Sequence, residues 1–383
     1  MQFGFTEEQA MLRHATARLM EREITPALDA YSERNKMPGD EVKILIRKIA
    51  SLGFLASTLK EERGGENLDW VTHGAMMEVL DSRIFGSIVI AAGVARMIAG
   101  SMNTYLHERY LPKLLTGDLV GCAGISEPDV GSATAMVRTT AVEDGDHYLL
   151  NGSKIWISNA PFADVATVLC TVDPAAGPKG LAVFLVDGVE SPFEVSPIEM
   201  LGETVFDWTG QLTFDNCRVP KRNMIAAPGE GLKFQLNEFS AARCFVGMGS
   251  LLIAQECIEH SVAYAKLREQ WGKPIGSFQL IQAMIADMIA DTDAARMLIY
   301  RALWMLDQGA RCVTESSIAK YRATDMAIDV ASKAVEIHGG NGLSAEYPVA
   351  SLYRRARMGT IPDGTNEIQR LIVGREVLGL SAF

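Results

Sequence analysis

The sequence holds no C-x-x-C pair, no histidines at metal-ligand spacing and no dense basic run. Its six cysteines stand alone at positions 122, 170, 217, 244, 257 and 312, which fits structural thiols in a reducing compartment rather than disulfides or a zinc site. A net charge of −11 and a pI near 5.2 argue against a nucleic-acid partner. No phosphate loop ending in Gly-Lys-Ser/Thr occurs, and no Gly-x-Ser-x-Gly elbow, so P-loop and hydrolase readings fall away. Gly247-Met248-Gly249 lacks a third glycine and a preceding strand, and reads as close helix packing rather than a dinucleotide loop. The most apolar stretch, Ile88 to Ala95, is too short to span a bilayer. Thr6-Glu7-Glu8-Gln9 is a helix capping box where a secretory signal would need a basic and then an apolar run. These absences predict a soluble, cytoplasmic protein without a membrane-inserted segment.

What is present is globular: 383 residues, 48% hydrophobic and 22% charged, enough for two or three compact units. From Thr6 the period is helical, with Met11, Leu12, Ala15, Leu19 and Ile24 on one face and Pro26 expected to stop the first helix. Further helices are predicted around Asp40 to Leu52, Val71 to Leu80 and Ile84 to Ala99, with a turn at Gly64-Gly65. The texture changes near Leu119. His147 to Leu150, Val165 to Cys170, Leu181 to Val186 and Leu212 to Phe214 are short β-branched or aromatic runs between Asp-Gly, Asn-Gly and similar breakers, which predicts an antiparallel sheet or small barrel. After Gly229-Glu230-Gly231 the helical period returns, and Ile281, Ile285, Met288, Thr292, Ala295 and Ile299 mark a buried stripe. The fold class is therefore α+β, with an all-α domain over residues 1–117, a β-domain over 118–225 and a helical bundle over 226–383.

The chemistry gathers late in the chain. His338-Gly339-Gly340-Asn341-Gly342 is too rich in glycine for a helix interior, where each glycine costs about 1 kcal/mol against alanine. Such a bare backbone suggests a close-approaching ligand. Downstream, Pro362-Asp363-Gly364 reads as a turn and Thr365 as the cap of a last helix; taken alone, Asp363 is a turn-former. Upstream, Ile125-Ser126-Glu127-Pro128-Asp129-Val130-Gly131-Ser132 is a polar turn, and Trp156-Ile157-Ser158-Asn159 sets a tryptophan beside small polar residues that suit a flat, hydrogen-bonding ring. Arg268-Glu269-Gln270-Trp271-Gly272-Lys273 places a cation and an aromatic before the helix that carries Gln279.

Together these stretches resemble the acyl-CoA dehydrogenase family, from about Phe5 to Leu378. I-S-E-P-D-V-G-S, L-N-G-S-K-I-W-I-S-N-A, R-E-Q-W-G-K-P-I, H-G-G-N-G and G-T-N-E-I-Q stand in family order and spacing. The resemblance implies an N-terminal helical domain, a central antiparallel β-domain and a C-terminal four-helix bundle. It also implies non-covalent FAD, an electron-transfer flavoprotein as acceptor, and a homotetramer or dimer. It assigns Ile125, Ser126, Trp156 and Ser158 to the flavin ring. Arg268, Trp271 and Gln279 would hold the pyrophosphate and adenosine across a subunit interface. Glu336, Gly339 and Gly340 would line the same cofactor, with Thr365 and Glu367 at its adenosine end. Ser132 and Arg243 would contact the thioester and CoA, with Pro362 and Gly364 beside the acyl group.

The resemblance also implies the mechanism: hydrogen bonds to the thioester carbonyl stabilise a developing enolate, a carboxylate removes the α-proton, and the β-hydrogen leaves as hydride to the flavin. The family's usual base is a glutamate in a Tyr-Glu-Gly-Thr turn. Here the turn is Pro362-Asp363-Gly364-Thr365, and Ala242, at the alternative base position, cannot serve. A shorter carboxylate and the loss of the tyrosine both suit a bulky or ring-shaped acyl group, and family members acting on cyclohexane-carboxyl-CoA carry aspartate here. Two departures stand beside this: Gly131-Ser132 is followed by Ala133 where many members have aspartate, and Glu336 replaces a common glutamine. Two other chemistries fit the same residues, namely dehydrogenation of a carrier-protein thioester and a nitroalkane-oxidase-like flavin oxidase with Asp363 as base. A non-catalytic flavin-binding or partner-binding scaffold is the remaining reading.

Overall fold

The chain begins with a reciprocal cap: the Thr6 amide donates to Gln9 Oε1 at 3.0 Å, and the Gln9 amide to Thr6 Oγ1 at 3.2 Å. The structure, a computed structural model, describes residues 4–200 and 205–382. Helix α1 (Glu7–Leu19) does not end at Pro26 as expected. It passes through a π turn at Met20–Ile24 into α2 (Thr25–Asp29), whose first turn holds Pro26, where a helix has no amide to pair. Helices α3 (Gly39–Ala50), α4 (Trp70–Met77), α5 (Ser82–Gly100), α6 (Thr104–Arg109) and α7 (Leu111–Leu115) follow. Strands β1 (Gly121–Gly124), β2 (Thr140–Asp144), β3 (His147–Ser158), β4 (Val165–Thr171), β5 (Leu181–Asp187), β6 (Glu194–Pro197), β7 (Thr209–Pro220) and β8 (Met224–Ala226) form one sheet in the order β6-β7-β3-β2-β4-β5-β8. It is antiparallel except that β1 and the start of β2 pair parallel with β4. The helical remainder is α8 (Gly231–Asn237), α9 (Phe239–Leu267), a small hairpin of β9 (Glu269–Gln270) and β10 (Lys273–Pro274), then α10 (Gln279–Asp307), α11 (Val313–His338), α12 (Val349–Met358) and α13 (Asn366–Leu378).

Two compact units result. One contains His14–Asp69 and Arg83–Phe239, the sheet with most N-terminal helices; the other is built on Ser240–Phe383, with Trp70–Ser82 and the chain up to Arg13. In the first, β4 is buried along its whole length. Val165 and Leu169 face a cluster with Val94, Ile98 and Leu114 of the helices, while Ala166, Val168 and Cys170 face Leu150, Phe184 and Phe214 on the other side. That double burial is why β4 and β5 read as continuous apolar runs. In the second unit, buried Glu78 accepts from Arg296 Nε at 2.7 Å, the Tyr300 hydroxyl at 2.6 Å and Gln255 at 3.1 Å, joining α4 to the bundle. A Cβ on Gly247 would stand 3.3 Å from Ala319 O on α11 and from Ile299 on α10, so this glycine serves helix packing. The expected α10 stripe is buried from Met288 onward, whereas Ile281 and Ile285 are half-covered.

All six cysteines are buried and free. The apolar stretch around Ile88 is longer than the sequence suggested. Ser82–Gly100 and Gly231–Leu267 are both long and apolar enough to cross a bilayer, and 67% of the apolar window in each is buried inside the protein.

Candidate functional site

Between α12 and α13 the chain makes one tight turn. Asp363 takes a left-handed φ of 54°, which a short polar side chain tolerates, and Gly364 follows at 88°. Thr365 caps α13, its hydroxyl oxygen accepting from the Ile368 amide at 3.4 Å. Gln369 Nε2 reaches back to the carbonyls of Asp363 and Gly364, both at 2.9 Å. Beneath the turn, the Lys320 ammonium on α11 donates to Thr360 O and Gly364 O at 3.0 Å and to Asn366 Oδ1 at 2.9 Å. Among the described residues no hydrogen bond holds the Asp363 carboxylate itself.

The Asp363 side chain is only partly covered, yet enough protein surrounds it for desolvation to push its pKa above the ordinary carboxylate range, against the opposing charges of Arg243 and Lys320. Arg243, on the first turns of α9, is buried, and burial draws its pKa down while Asp363 holds it up. Pro362 is exposed, and Glu367, in the first turn of α13, is held below the usual glutamate value by backbone and Thr365 hydrogen bonds. The structure thus brings together Arg243, Pro362, Asp363, Gly364, Thr365 and Glu367.

A second group lies at the far end of α9. Glu269 to Pro274 is a hairpin, not a plain lead-in to a helix: Gln270 pairs with Lys273 across Trp271-Gly272, whose φ values of 48° and 73° make a left-handed two-residue turn. Trp271 is 87% exposed, its ring edge-to-face with Phe278 at 5.6 Å, and Lys273 Nζ stands 4.4 Å over Phe278. Arg268 is exposed, and Gln279 opens α10. Glu336, Gly339 and Gly340 end α11 nearby, because Asn341 donates to the Tyr264 hydroxyl at 3.0 Å and His338 stacks on the Tyr264 ring at 4.3 Å. Gly339 and Gly340 are exposed, and a Cβ at either would meet nothing within 4 Å. The twenty-five residues of helix from Arg243 to Arg268 span roughly 38 Å at 1.5 Å per residue. One chain therefore does not bring Gly339, Gly340, Arg268, Trp271 and Gln279 to Thr365 and Glu367.

The sheet-bearing unit carries the third group. The Lys154 ammonium, fully buried, donates to Ile125 O at 3.0 Å and to Glu127 Oε1 at 2.8 Å, and the Ile155 amide donates to Ser126 O at 2.9 Å. Glu127 in turn accepts from the Arg138 and Thr139 amides at 2.6 and 2.9 Å. This fixes the Ile125-Ser126 loop against β3. The pairing of β3 with β7 slips between Lys154 and Ile157, and at that bulge Trp156 turns outward, 56% exposed with a φ of 62°. Ser158 follows on β3, half-buried, and Ser132 lies exposed beyond the polar turn. Neighbouring Asn159 ties the motif inward: its amide group donates to Ser87 O at 3.1 Å and its carbonyl accepts from Trp208 Nε1 at 3.1 Å.

Six described non-glycine residues have positive φ. Three are Asn67, Asn159 and Asn216; the others are Trp156, Trp271 and Asp363, each a site residue expected from sequence. Left-handed backbone at tryptophan is strained, and such strain persists where a site requires it. Sequence reading missed Lys320, Gln369, Lys154 and Glu127. Lys320, Gln369 and Lys154 signal only as single polar residues on helix or strand positions, and Glu127 is one more acid in a polar turn.

Three family models match the chain in succession: the acyl-CoA dehydrogenase N-terminal domain at residues 6–118, the middle domain at 122–217 and the C-terminal domain at 229–378. The chain is 35% identical to a glutaryl-CoA dehydrogenase of Desulfococcus multivorans, over 99% of both chains. It is 31% identical to a 3-(aryl)acrylate reductase of Clostridium sporogenes, over 98% of this chain and 99% of the relative. Among solved structures, the butyryl-CoA dehydrogenase from Megasphaera elsdenii superposes with a TM-score of 0.92 at 30% identity, covering 99% of this chain and 100% of that one.

Proposed function

The chain belongs to the acyl-CoA dehydrogenase family, and from that premise we propose that it oxidises a bulky or alicyclic acyl-CoA, of the cyclohexane-carboxyl-CoA type, with Asp363 as the base. The coarser activity is that of the family: it is an oxidoreductase that dehydrogenates acyl-CoA with FAD. Its relatives act on glutaryl, butyryl and aryl-acrylate groups, so relationship alone selects no substrate.

The observation that carries the proposal is the Asp363 turn. A partly accessible carboxylate with no hydrogen-bond partner among the described residues, its pKa raised by desolvation, has the properties of a base awaiting a carbon acid. In this reading Asp363 takes the α-proton, and the shorter side chain beside Pro362 leaves room for a substituted α-carbon. Buried Arg243 opposes that rise in pKa and contacts the CoA side of the substrate, with Ser132 at the thioester and Gly364 beside the acyl group. Bound FAD would supply the acceptor for the β-hydrogen, which leaves as hydride. The residues fit it: the open backbone at Gly339 and Gly340, the cation Arg268 and the exposed Trp271 suit a pyrophosphate and an adenine ring. Gln279 and Glu336 complete that end. Ile125, Ser126, Trp156 and Ser158 would hold the flavin ring, with Thr365 and Glu367 at the adenosine end of the cofactor.

The separation of roughly 38 Å along α9 supports a cofactor held by two copies of this chain, as a homotetramer or dimer. So do Leu267, Trp271 and Leu280, which stand 82%, 87% and 78% exposed. An electron-transfer flavoprotein is the proposed acceptor. Anaerobic titration with cyclohexane-carboxyl-CoA and butyryl-CoA, following the visible flavin band, tests the reading. Rapid bleaching by the cyclic ester alone supports it, and bleaching by the linear ester alone sinks the ring preference. Fast reoxidation of the reduced flavin by air would favour an oxidase.

A further inference from the structure

Lys320 is completely buried on α11, and the reaction as described does not use it. Its three hydrogen bonds go to Thr360 O, Gly364 O and Asn366 Oδ1, so the acceptors bracket Ile361-Pro362-Asp363 on both sides. Since no hydrogen bond among the described residues orients the Asp363 carboxylate, its direction is set by the backbone of that turn. We propose that Lys320 is a positioning residue: its ammonium clamps the two ends of the turn and so fixes where the Asp363 carboxylate points. The inference rests on the reading of Asp363 as the base.

The proton count makes the clamp sensitive to pH. An ammonium has three N–H donors for these three acceptors, and a neutral amine has two, so loss of the proton leaves one acceptor unserved. Burial pushes the Lys320 pKa down to about 8, opposed by the charges of Asp363, Glu367 and Asp325 and assisted by Arg243. Arg370 pairs with Asp325 at 2.6 Å and weakens that last contribution. The folded protein binds this proton less tightly than the unfolded chain, so deprotonation loosens the turn without lowering global stability.

The experiment compares wild type, Lys320→Met, Lys320→Arg and Asp363→Asn as full-length, flavin-loaded protein. Hydrogen exchange of the peptide spanning residues 358–370 needs no substrate. Lys320→Met is expected to exchange at least about tenfold faster there, with the rest of the map unchanged. With whichever of the two thioesters bleaches wild type, the Met variant reduces its flavin about 100-fold more slowly, as about 1 Å of misplacement would cause, at unchanged half-saturation. Wild-type bleaching falls above about pH 8. In Lys320→Arg that fall is absent, since a guanidinium keeps its proton. Wild-type exchange in the Met variant, or the same alkaline fall in the Arg variant, overturns the proposal; if the Met variant does not fold, the Arg variant decides alone. Should the turn loosen while Asp363→Asn bleaches at the wild-type rate, the clamp stands and the base assignment fails.

Discussion

Replacing Asp363 with asparagine separates the chemistry of the carboxylate from the architecture of its turn. Asparagine has the same size and is at ease at a φ of 54°. The bonds that shape the turn run to backbone carbonyls, from Lys320 at 3.0 Å to Thr360 and Gly364, and from Gln369 at 2.9 Å to Asp363 and Gly364. The substitution touches none of them, so the loss should be chemical. A positioned general base contributes about 10²- to 10⁴-fold, or about 2.7–5.4 kcal/mol at 1.36 kcal/mol per decade. We predict that Asp363→Asn retains flavin and thioester binding while anaerobic flavin reduction slows by about 10³-fold. A rate within about tenfold of wild type would refute the assignment.

The same variant carries a stability signature of known sign. The folded-state pKa of Asp363 lies above its unfolded value, because desolvation outweighs Arg243 and Lys320. The protonated form therefore favours the fold: that contribution is complete below the unfolded value of about 3.9 and is lost as pH rises through the folded one. At neutral pH the ionised carboxylate costs stability, and asparagine removes that cost. Thermal melts should show Asp363→Asn as stable as wild type or more so at pH 7 to 8, with the difference shrinking toward about pH 4. A variant distinctly less stable at pH 8 would mean that Asp363 is a structural partner of Arg243 rather than a poised base.

Four further substitutions test the surrounding site. Gly340→Ala, which puts a methyl into open space, should leave the melting temperature unchanged and raise the FAD dissociation constant at least about tenfold; Gly342→Ala, whose methyl would collide with Val335 O, should instead lower the melting temperature. Trp271→Asn keeps a residue tolerant of left-handed φ but removes the ring, and should release flavin on dialysis without loss of helix by circular dichroism. Burial tends to raise the Glu127 pKa, but the Lys154 charge and the Lys154 and Thr139 hydrogen bonds hold it below the ordinary value, so its stabilisation is present above about pH 4.3 and fades as pH falls through the folded value. Glu127→Gln should flatten the acid limb of the unfolding curve and, by leaving Lys154 buried and unpaired, cost on the order of 3 kcal/mol at pH 7, measured by urea titration.

The succession of helices, sheet and helices was legible because period and punctuation agree: the α10 stripe, the Asp-Gly and Asn-Gly breakers and the capping box at Thr6 are local signals. Where sequence misled, a tertiary or backbone feature intervened. Pro26 sits in the first turn of a new helix because a π turn precedes it, and no composition rule announces a π turn. The α10 stripe is half open at Ile281 and Ile285 because periodicity reports which face is apolar, not what covers it. The Arg268 hairpin escaped notice because Trp-Gly stands where Asn-Gly would have signalled the turn.

That same exception links the hairpin to the chemistry. At Trp156 and Trp271 the residue best suited to the backbone is asparagine or glycine, yet large aromatics occupy both positions. A chain under selection for stability alone would relax each of them, since a left-handed conformation costs roughly 1–2 kcal/mol for an ordinary residue. Each ring is presented outward by the turn that strains it, Trp156 by a bulge and Trp271 by a two-residue hairpin, while Asp363, at ease in its φ, is carried on a turn bonded from beneath. Lys154 and Lys320 carry the complementary sacrifice, each burying an ammonium to bind the carbonyls of a neighbouring loop. In the proposed reading, strain at the two tryptophans and buried charge beneath the Ile125 loop and the Asp363 turn both exchange stability for a fixed direction of a group meant to face substrate or cofactor.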